Sequence, residues 1–286
     1  NILSLIIHEA RLKLICFKEL NSKKGESIME EKPILTDKKE MIGIITLNRP
    51  QDMNTFNVPF ARGLNDALRD MDQDDDVRVV VIRASGKHFS AGISLSEFEG
   101  KSPKELREFL LLMDEFYHTI PRMKKPVIAS VKGYALANGA GIVFASDLAV
   151  AADDSKLGTT AINVGLICLG PAVPLARLVG RKKVLEMVLT GDMLSAAEAE
   201  RLGLINKIVP PDELEAATME LAAKLALKSP MAVQIGKTGI YGMSETPYHQ
   251  AIDYMDELFA SLCATEDARE GIEAFMEKRK PIWKNR

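Results

Sequence analysis

Two short segments rich in small residues are where this 286-residue chain offers backbone chemistry. The first, Phe89-Ser90-Ala91-Gly92-Ile93-Ser94-Leu95, follows the β-branched run VRVVVIR (77–83). The second, Gly133-Tyr134-Ala135-Leu136-Ala137-Asn138-Gly139-Ala140-Gly141, follows PVIASV (126–131) and precedes the apolar run IVFAS. Small side chains leave the N–H groups of such loops open to a ligand. In the second segment the amides fall at the start of a predicted helix, where partial positive charge favours an anion. Two amides meeting on one oxygen stabilise the charge developing there, and losing one such donor costs about 3 to 4 kcal/mol of transition-state stabilisation. A dinucleotide-binding turn at Asn138-Gly139-Ala140-Gly141 is excluded in detail. Ile142, Val143 and Phe144 follow with no small residue at the last glycine position, and no ribose-binding acid ends a following strand.

Positioning these loops requires strands and helices in alternation. MIGIITL (41–47) and VRVVVIR have strand length and composition, as do PVIASV and DLAVAA (147–152). Phe60, Leu64, Ala67, Leu68 and Met71 recur at helical spacing behind Asn57, an N-cap residue. Ser102-Pro103-Lys104-Glu105 is a capping box with proline at the first helical position, predicting a helix that runs towards His118, and Ser195-Ala196-Ala197-Glu198 is a second capping box. Beyond Gly165 the pattern turns helical. The fold class is α/β, with a core over residues 29–210 and a helical region over 211–286. Residues 1–28 are read as a non-native or disordered extension, with Met29 as the native start.

The bulk composition excludes several function classes. A net charge of -3 with no basic run long enough to follow a phosphate backbone argues against nucleic acid. Three dispersed cysteines, Cys16, Cys168 and Cys263, form no CxxC pair and give neither a disulfide framework nor a metal site. They fit a reducing cytoplasm. No run of 18 apolar residues is present to span a membrane.

From Met41 onward the chain resembles the crotonase (enoyl-CoA hydratase/isomerase) superfamily. ITLNRPQDMNTFN resembles its opening strand and turn, FSAGISL and GYALANGAG its two oxyanion segments, and LGTTAINVGL the stretch that follows. VLEMVLTGDMLSAAEAERLGLINKIVP is similar to the next helical hairpin and GIEAFMEKRKPIW to the C-terminal helix. The resemblance implies a spiral of ββα units, a C-terminal helical trimerisation region, and a homotrimer or dimer of trimers. It further implies an acyl-CoA thioester whose enolate is held by the amides of Ile93 and Asn138, with no cofactor beyond the coenzyme A of the substrate. Met53, Thr55, Ala91, Gly92, Ser94 and Leu95 would line the coenzyme A site, and Lys278 and Lys280 would reach its phosphates.

The pattern departs from the family where hydration chemistry sits. A hydratase uses two carboxylates, one activating water and one delivering a proton, and the matching positions here are Gly141 and Ala161. Each general acid or base contributes roughly 10²- to 10⁴-fold, so loss of both leaves hydration weak or altered. Ser94 also replaces the aspartate common after the first amide. ANGAG with TTAINVGLICLGP most resembles the subgroup labelled enoyl-CoA hydratase domain-containing protein 3, whose members lack both glutamates. Cys168, Asp114 and Glu115 are the candidate proton carriers that remain, with Tyr117 on the same helix as the two acids; His88 is read as surface or structural, and His118 and His249 have no partner at a telling spacing.

Three functions follow from these residues. One is an enzyme of the family with an atypical proton carrier. Another is a decarboxylase or thioesterase, since loss of carbon dioxide creates the enolate unaided. The third is a catalytically lapsed acyl-CoA-binding trimer with a regulatory or scaffold role.

Overall fold

In the computed structural model, residues 32–286 are described, and Pro33 to Arg286 form one compact unit. The proposed extension 1–28 and native start at Met29 lie outside the described residues.

A six-stranded sheet runs in the order β1 (Ile34–Lys39), β2 (Ile42–Leu47), β3 (Val79–Ala84), β4 (Val127–Val131), β6 (Leu148–Ala152) and β9 (Lys207–Val209). β1 is antiparallel to β2 and every later pair is parallel. The central strands are buried on both faces, which is why they read as unbroken apolar runs. Alternation along them sorts side chains by face. Ile45, Leu47, Val80 and Ile82 enter the main core, while Ile42, Ile44, Val79 and Val81 enter a second cluster with Leu214, Ala217, Ala222 and Ala226 of a later helix. β1 had no strand signature because only Ile34 of its six residues is buried; its charged remainder suits a sheet edge.

Helix α1 (Val58–Gln73) starts where its cap predicts, with the Asn57 side chain accepting from the Phe60 N–H at 2.9 Å. It buries Phe60, Leu64, Ala67, Leu68 and Met71. α2 (Pro103–Met113) opens on the complete Ser102/Glu105 capping box. The predicted continuous helix to His118 is instead two. Asp114 leaves helical geometry at φ -101°, ψ 0°, and α3 (Phe116–Arg122) begins beyond Glu115. The break lets Asp114 send its carboxyl inward, where it meets Asn138.

A smaller sheet, β5 (Tyr134–Leu136), β7 (Lys156–Gly158) and β8 (Met193–Ser195), frames α4 (Asn138–Ala145), all eight of whose residues are buried. α5 (Leu169–Leu178), α6 (Arg181–Thr190) and α7 (Ala196–Arg201) follow, the last started by the Ser195/Glu198 capping box. α8 (Leu214–Ala226) covers the second face of the large sheet, and α9 (Pro230–Met243), α10 (Tyr248–Cys263) and α11 (Glu266–Met276) complete the chain. α9 is pinned by Lys237, whose ammonium donates to Asp147 at 2.7 Å, while the Tyr241 hydroxyl donates to the other oxygen at 3.0 Å. The tail folds back to let Trp283 Nε1 donate to the Leu227 carbonyl.

Candidate functional site

The two small-residue loops are laced together by backbone. Ser90 donates to the Tyr134 carbonyl and accepts from the Leu136 N–H, and its hydroxyl donates to the Asn54 carbonyl at 2.8 Å. Phe56 donates to Gly92 O and accepts from Ser94 N, a parallel bridge whose partner is Ile93. In such a bridge the intervening residue turns its own N–H to the opposite side. The Ile93 amide therefore faces away from Phe56, and it has no protein acceptor among the described residues.

The second loop delivers a matching amide. Ala137 precedes α4 in a strained conformation, φ 48° and ψ -120°, anchored by donation from its N–H to Gly158 O. Asn138 is the first residue of α4, and no side chain caps that end, so its N–H is an orphan of the first turn. Two glycines let the loops close. A Cβ on Gly92 (φ 93°) would lie 2.7 Å from Ala137 Cβ and 3.4 Å from Asn138 N, and one on Gly139 would collide with Ser90 O. The residue before Ile93 thus lies directly against the second free amide.

The residues expected to line the coenzyme A site lie on and beside these loops. Met53 (φ 51°) accepts from the Ala91 N–H through its carbonyl, and the Thr55 carbonyl accepts from Arg49 at 2.6 Å. The Ser94 hydroxyl pairs with Ser96, and Leu95 is exposed. The residue between Met53 and Thr55 carries more of the structure than either. Asn54 is fully buried, accepts from Arg49 N at 2.7 Å, and donates to the Ser85 and His88 carbonyls at 3.0 and 2.9 Å. His88 is structural, accepting from Tyr134 N and stacking on the Tyr134 ring; burial lowers its pKa.

The three proton-carrier candidates separate. Asp114 Oδ1 accepts from Asn138 Nδ2 at 2.9 Å, and its other oxygen would lie 2.7 Å from a Cβ on Gly170 at the start of α5. Burial raises its pKa against the opposing pull of the Asn138 hydrogen bond. Cys168 is buried beside the Ala161 backbone, and burial raises its thiol as well. Glu115 turns to the other side of its helix and pairs with Arg69 of α1. Lys278 and Lys280 are exposed beyond α11, and their side chains make no hydrogen bond or ion pair with the two loops.

The sequence places Tyr117 on the helix of the two acids but gives its hydroxyl no role. The Tyr117 hydroxyl is buried without a hydrogen-bond partner and stands where a side chain at position 141 would reach. Burial, then the nearby Asp114 and Cys168, hold its pKa well above the phenol range. No signal in the sequence pairs Tyr117 with Gly141, since the contact joins different helices. Among the described residues no cluster of three or more His, Cys, Asp or Glu is arranged to hold a metal, and no helix is long and apolar enough to cross a membrane.

A mixed α/β fold carrying two free amides on adjoining loops defines a crotonase-like protein, and comparison with known proteins agrees. The family model described as enoyl-CoA hydratase/isomerase matches residues 37–286, so the chain belongs to that family. It is 37% identical over 262 residues to mouse enoyl-CoA hydratase domain-containing protein 3, mitochondrial, covering 91% of this chain and 87% of the relative. The probable enoyl-CoA hydratase, mitochondrial, of Dictyostelium discoideum is 34% identical, with coverage of 88% and 90%. The crystal structure of an enoyl-CoA hydratase from Mycobacterium smegmatis superposes with a TM-score of 0.85 at 38% identity, covering 88% of this chain and 99% of that one. The mitochondrial names correct the expectation of a cytoplasmic protein. Dispersed cysteines report only a reducing compartment, a property the cytoplasm does not hold alone.

Proposed function

We propose that this protein binds acyl-CoA thioesters and stabilises their enolates through the N–H groups of Ile93 and Asn138. The observation that supports it is the pair of unpaired amides on loops locked together by Ser90 and by the close approach of Gly92 to Asn138. Membership of the enoyl-CoA hydratase/isomerase family supplies the thioester. Pre-aimed donors of this kind act on charge as it forms and need no reorganisation.

The same reading makes ordinary hydration weak. Gly141 and Ala161 carry no titratable group, which leaves Asp114 as the carboxyl tied to the amide pair through Asn138. We assign proton transfer to Asp114. The exposed apolar side chains of α10 and α11, among them Phe259, Ile272, Phe275 and Met276, favour an assembly over a monomer, and the family resemblance implies that it holds three or six chains.

A crotonyl-CoA hydration assay run beside a calorimetric titration with acetyl-CoA tests the reading. The expected result is binding with hydration far below that of a two-glutamate enzyme. Absence of acyl-CoA binding would refute the thioester assignment, and rapid hydration would refute the altered chemistry. Turnover of a malonyl-type thioester without hydration of crotonyl-CoA would select decarboxylation, while binding without turnover of either would select the lapsed trimer.

A further inference from the structure

The Tyr117 hydroxyl has no role in the scheme above, yet its placement is specific. A Cβ on Gly141 would collide with Tyr117 Oη and lie 2.8 Å from the ring carbon that bears it. Position 141 is three residues beyond Asn138, on the same side of α4 and roughly 4.5 Å further along its axis. A thioester whose carbonyl oxygen rests on the Asn138 amide places the second and third carbons of its acyl chain alongside that turn.

A buried donor without an acceptor is costly to keep, because it has given up water and gained nothing. Native structures tolerate few such groups, and those that persist call for an explanation. Thr159 Oγ1, two residues from Ala161, is the other buried side-chain atom without a partner among the described residues. One orphan hydroxyl therefore stands at position 141, and the other lies two residues before position 161 in sequence. Tyr117 as a residue is partly exposed, and its hydroxyl hydrogen turns about the Cζ–Oη bond, so the donor can be aimed at an acceptor arriving beside Gly141. The phenol stays neutral, held so by burial and by the Asp114 carboxyl, and it can donate but not abstract a proton at neutral pH.

Resting on the thioester reading, we propose that Tyr117 determines acyl specificity: its hydroxyl donates a hydrogen bond to an oxygen on the acyl chain, so the preferred thioesters carry a hydroxyl or oxo group at C3. A site built around such a donor discriminates against the analogue that lacks the acceptor, because the donor is then left buried and unpaired.

Calorimetric titration of the full chain and of Tyr117→Phe with 3-hydroxybutyryl-CoA and butyryl-CoA tests this. These ligands differ by one hydroxyl, and neither is acidic at C2 in the way a 3-oxo thioester is. The wild type is expected to bind the hydroxylated ligand about tenfold more tightly, and Tyr117→Phe to bind the two alike. Removing an unpaired hydroxyl also predicts a Tm for unliganded Tyr117→Phe about 2 to 4 °C above wild type. Equal affinities in the wild type, a preference retained in Tyr117→Phe, or a lowered Tm each overturn the proposal. Binding of both ligands with no preference leaves the thioester reading intact and removes Tyr117 alone, whereas binding of neither ligand removes both.

Discussion

Asn138 Nδ2 donates to Asp114 Oδ1 at 2.9 Å, so the residue that carries the second free amide also holds a carboxyl. Burial raises the pKa of that carboxyl, which fixes the sign of its effect on stability. A folded-state pKa above the unfolded value means the native state binds the proton more tightly. Stability from this group is then full below the unfolded pKa near 3.9 and is lost as pH rises through the folded value. Asp114→Asn removes the buried charge and is expected to raise Tm at pH 7, with the gain shrinking towards zero as pH falls below about 4. A gain that grows on acidification would reverse the assigned shift. The same variant should lower turnover by about 10²-fold or more if Asp114 moves the proton.

Asn54 holds the first loop from below. Asn54→Ala leaves the Ser85 and His88 carbonyls and the Arg49 N–H without their partners, all in a part-buried setting. A buried group left unpaired costs about 1 to 3 kcal/mol, so the variant should lose about 3 kcal/mol or more in a urea titration, together with acyl-CoA affinity. A loss confined to stability, with affinity intact in the folded fraction, would separate Asn54 from the Ile93 amide.

Gly92 is the point where the loops touch. Gly92→Ala must hold φ 93° and bring a methyl to 2.7 Å from Ala137 Cβ. The strain is about 1 to 3 kcal/mol, and the relief available is to part the loops. Binding of acetyl-CoA should weaken far more than the stability of the sheet, as read by titration against far-UV thermal melts.

Much of this architecture is legible from local chemistry. Asn57, Ser102 and Ser195 announce helices because a cap is made within three residues, and the central strands announce themselves because both faces are buried. The free amides are legible as small-residue loops following strands. What the sequence hides is long-range. The bonds of Asn54 span 31 and 34 residues, that of Asp114 to Asn138 spans 24, and Tyr117 meets Gly141 across two helices. The helix break at Asp114 is hidden for the same reason, since its partner is not a neighbour in sequence. Glu115 and Asp114 look alike as adjacent helical acids, and only the fold sends one inward and the other to Arg69.

The exposed apolar side chains of α10 and α11 predict a solution mass. Phe275 is 82% exposed and Met276 75%, adjacent apolar side chains of the kind that mark an interaction surface. Light scattering after gel filtration should give three or six chains, and Phe275→Glu with Met276→Glu should lower that mass. A monomeric wild type would dismiss the assembly.

Restoring the missing carboxylate separates steric from chemical explanations of the lost hydratase pattern. A glutamate at position 141 needs the space that the Tyr117 phenol fills, and its Cβ would meet both Oη and the ring. Gly141→Glu alone is therefore expected to destabilise the fold and yield no gain in crotonyl-CoA hydration, since forcing atoms into a packed site costs about 1 to 3 kcal/mol. Tyr117→Ala vacates that space. Gly141→Glu combined with Tyr117→Ala should recover stability relative to Gly141→Glu, and hydration should rise by about 10²-fold if a carboxyl at position 141, in addition to Asp114, is what hydration needs. Recovery of stability without hydration would mean that the second position, Ala161, must carry a carboxylate too. Failure of both would show that Tyr117 does not occupy the place of the side chain at 141.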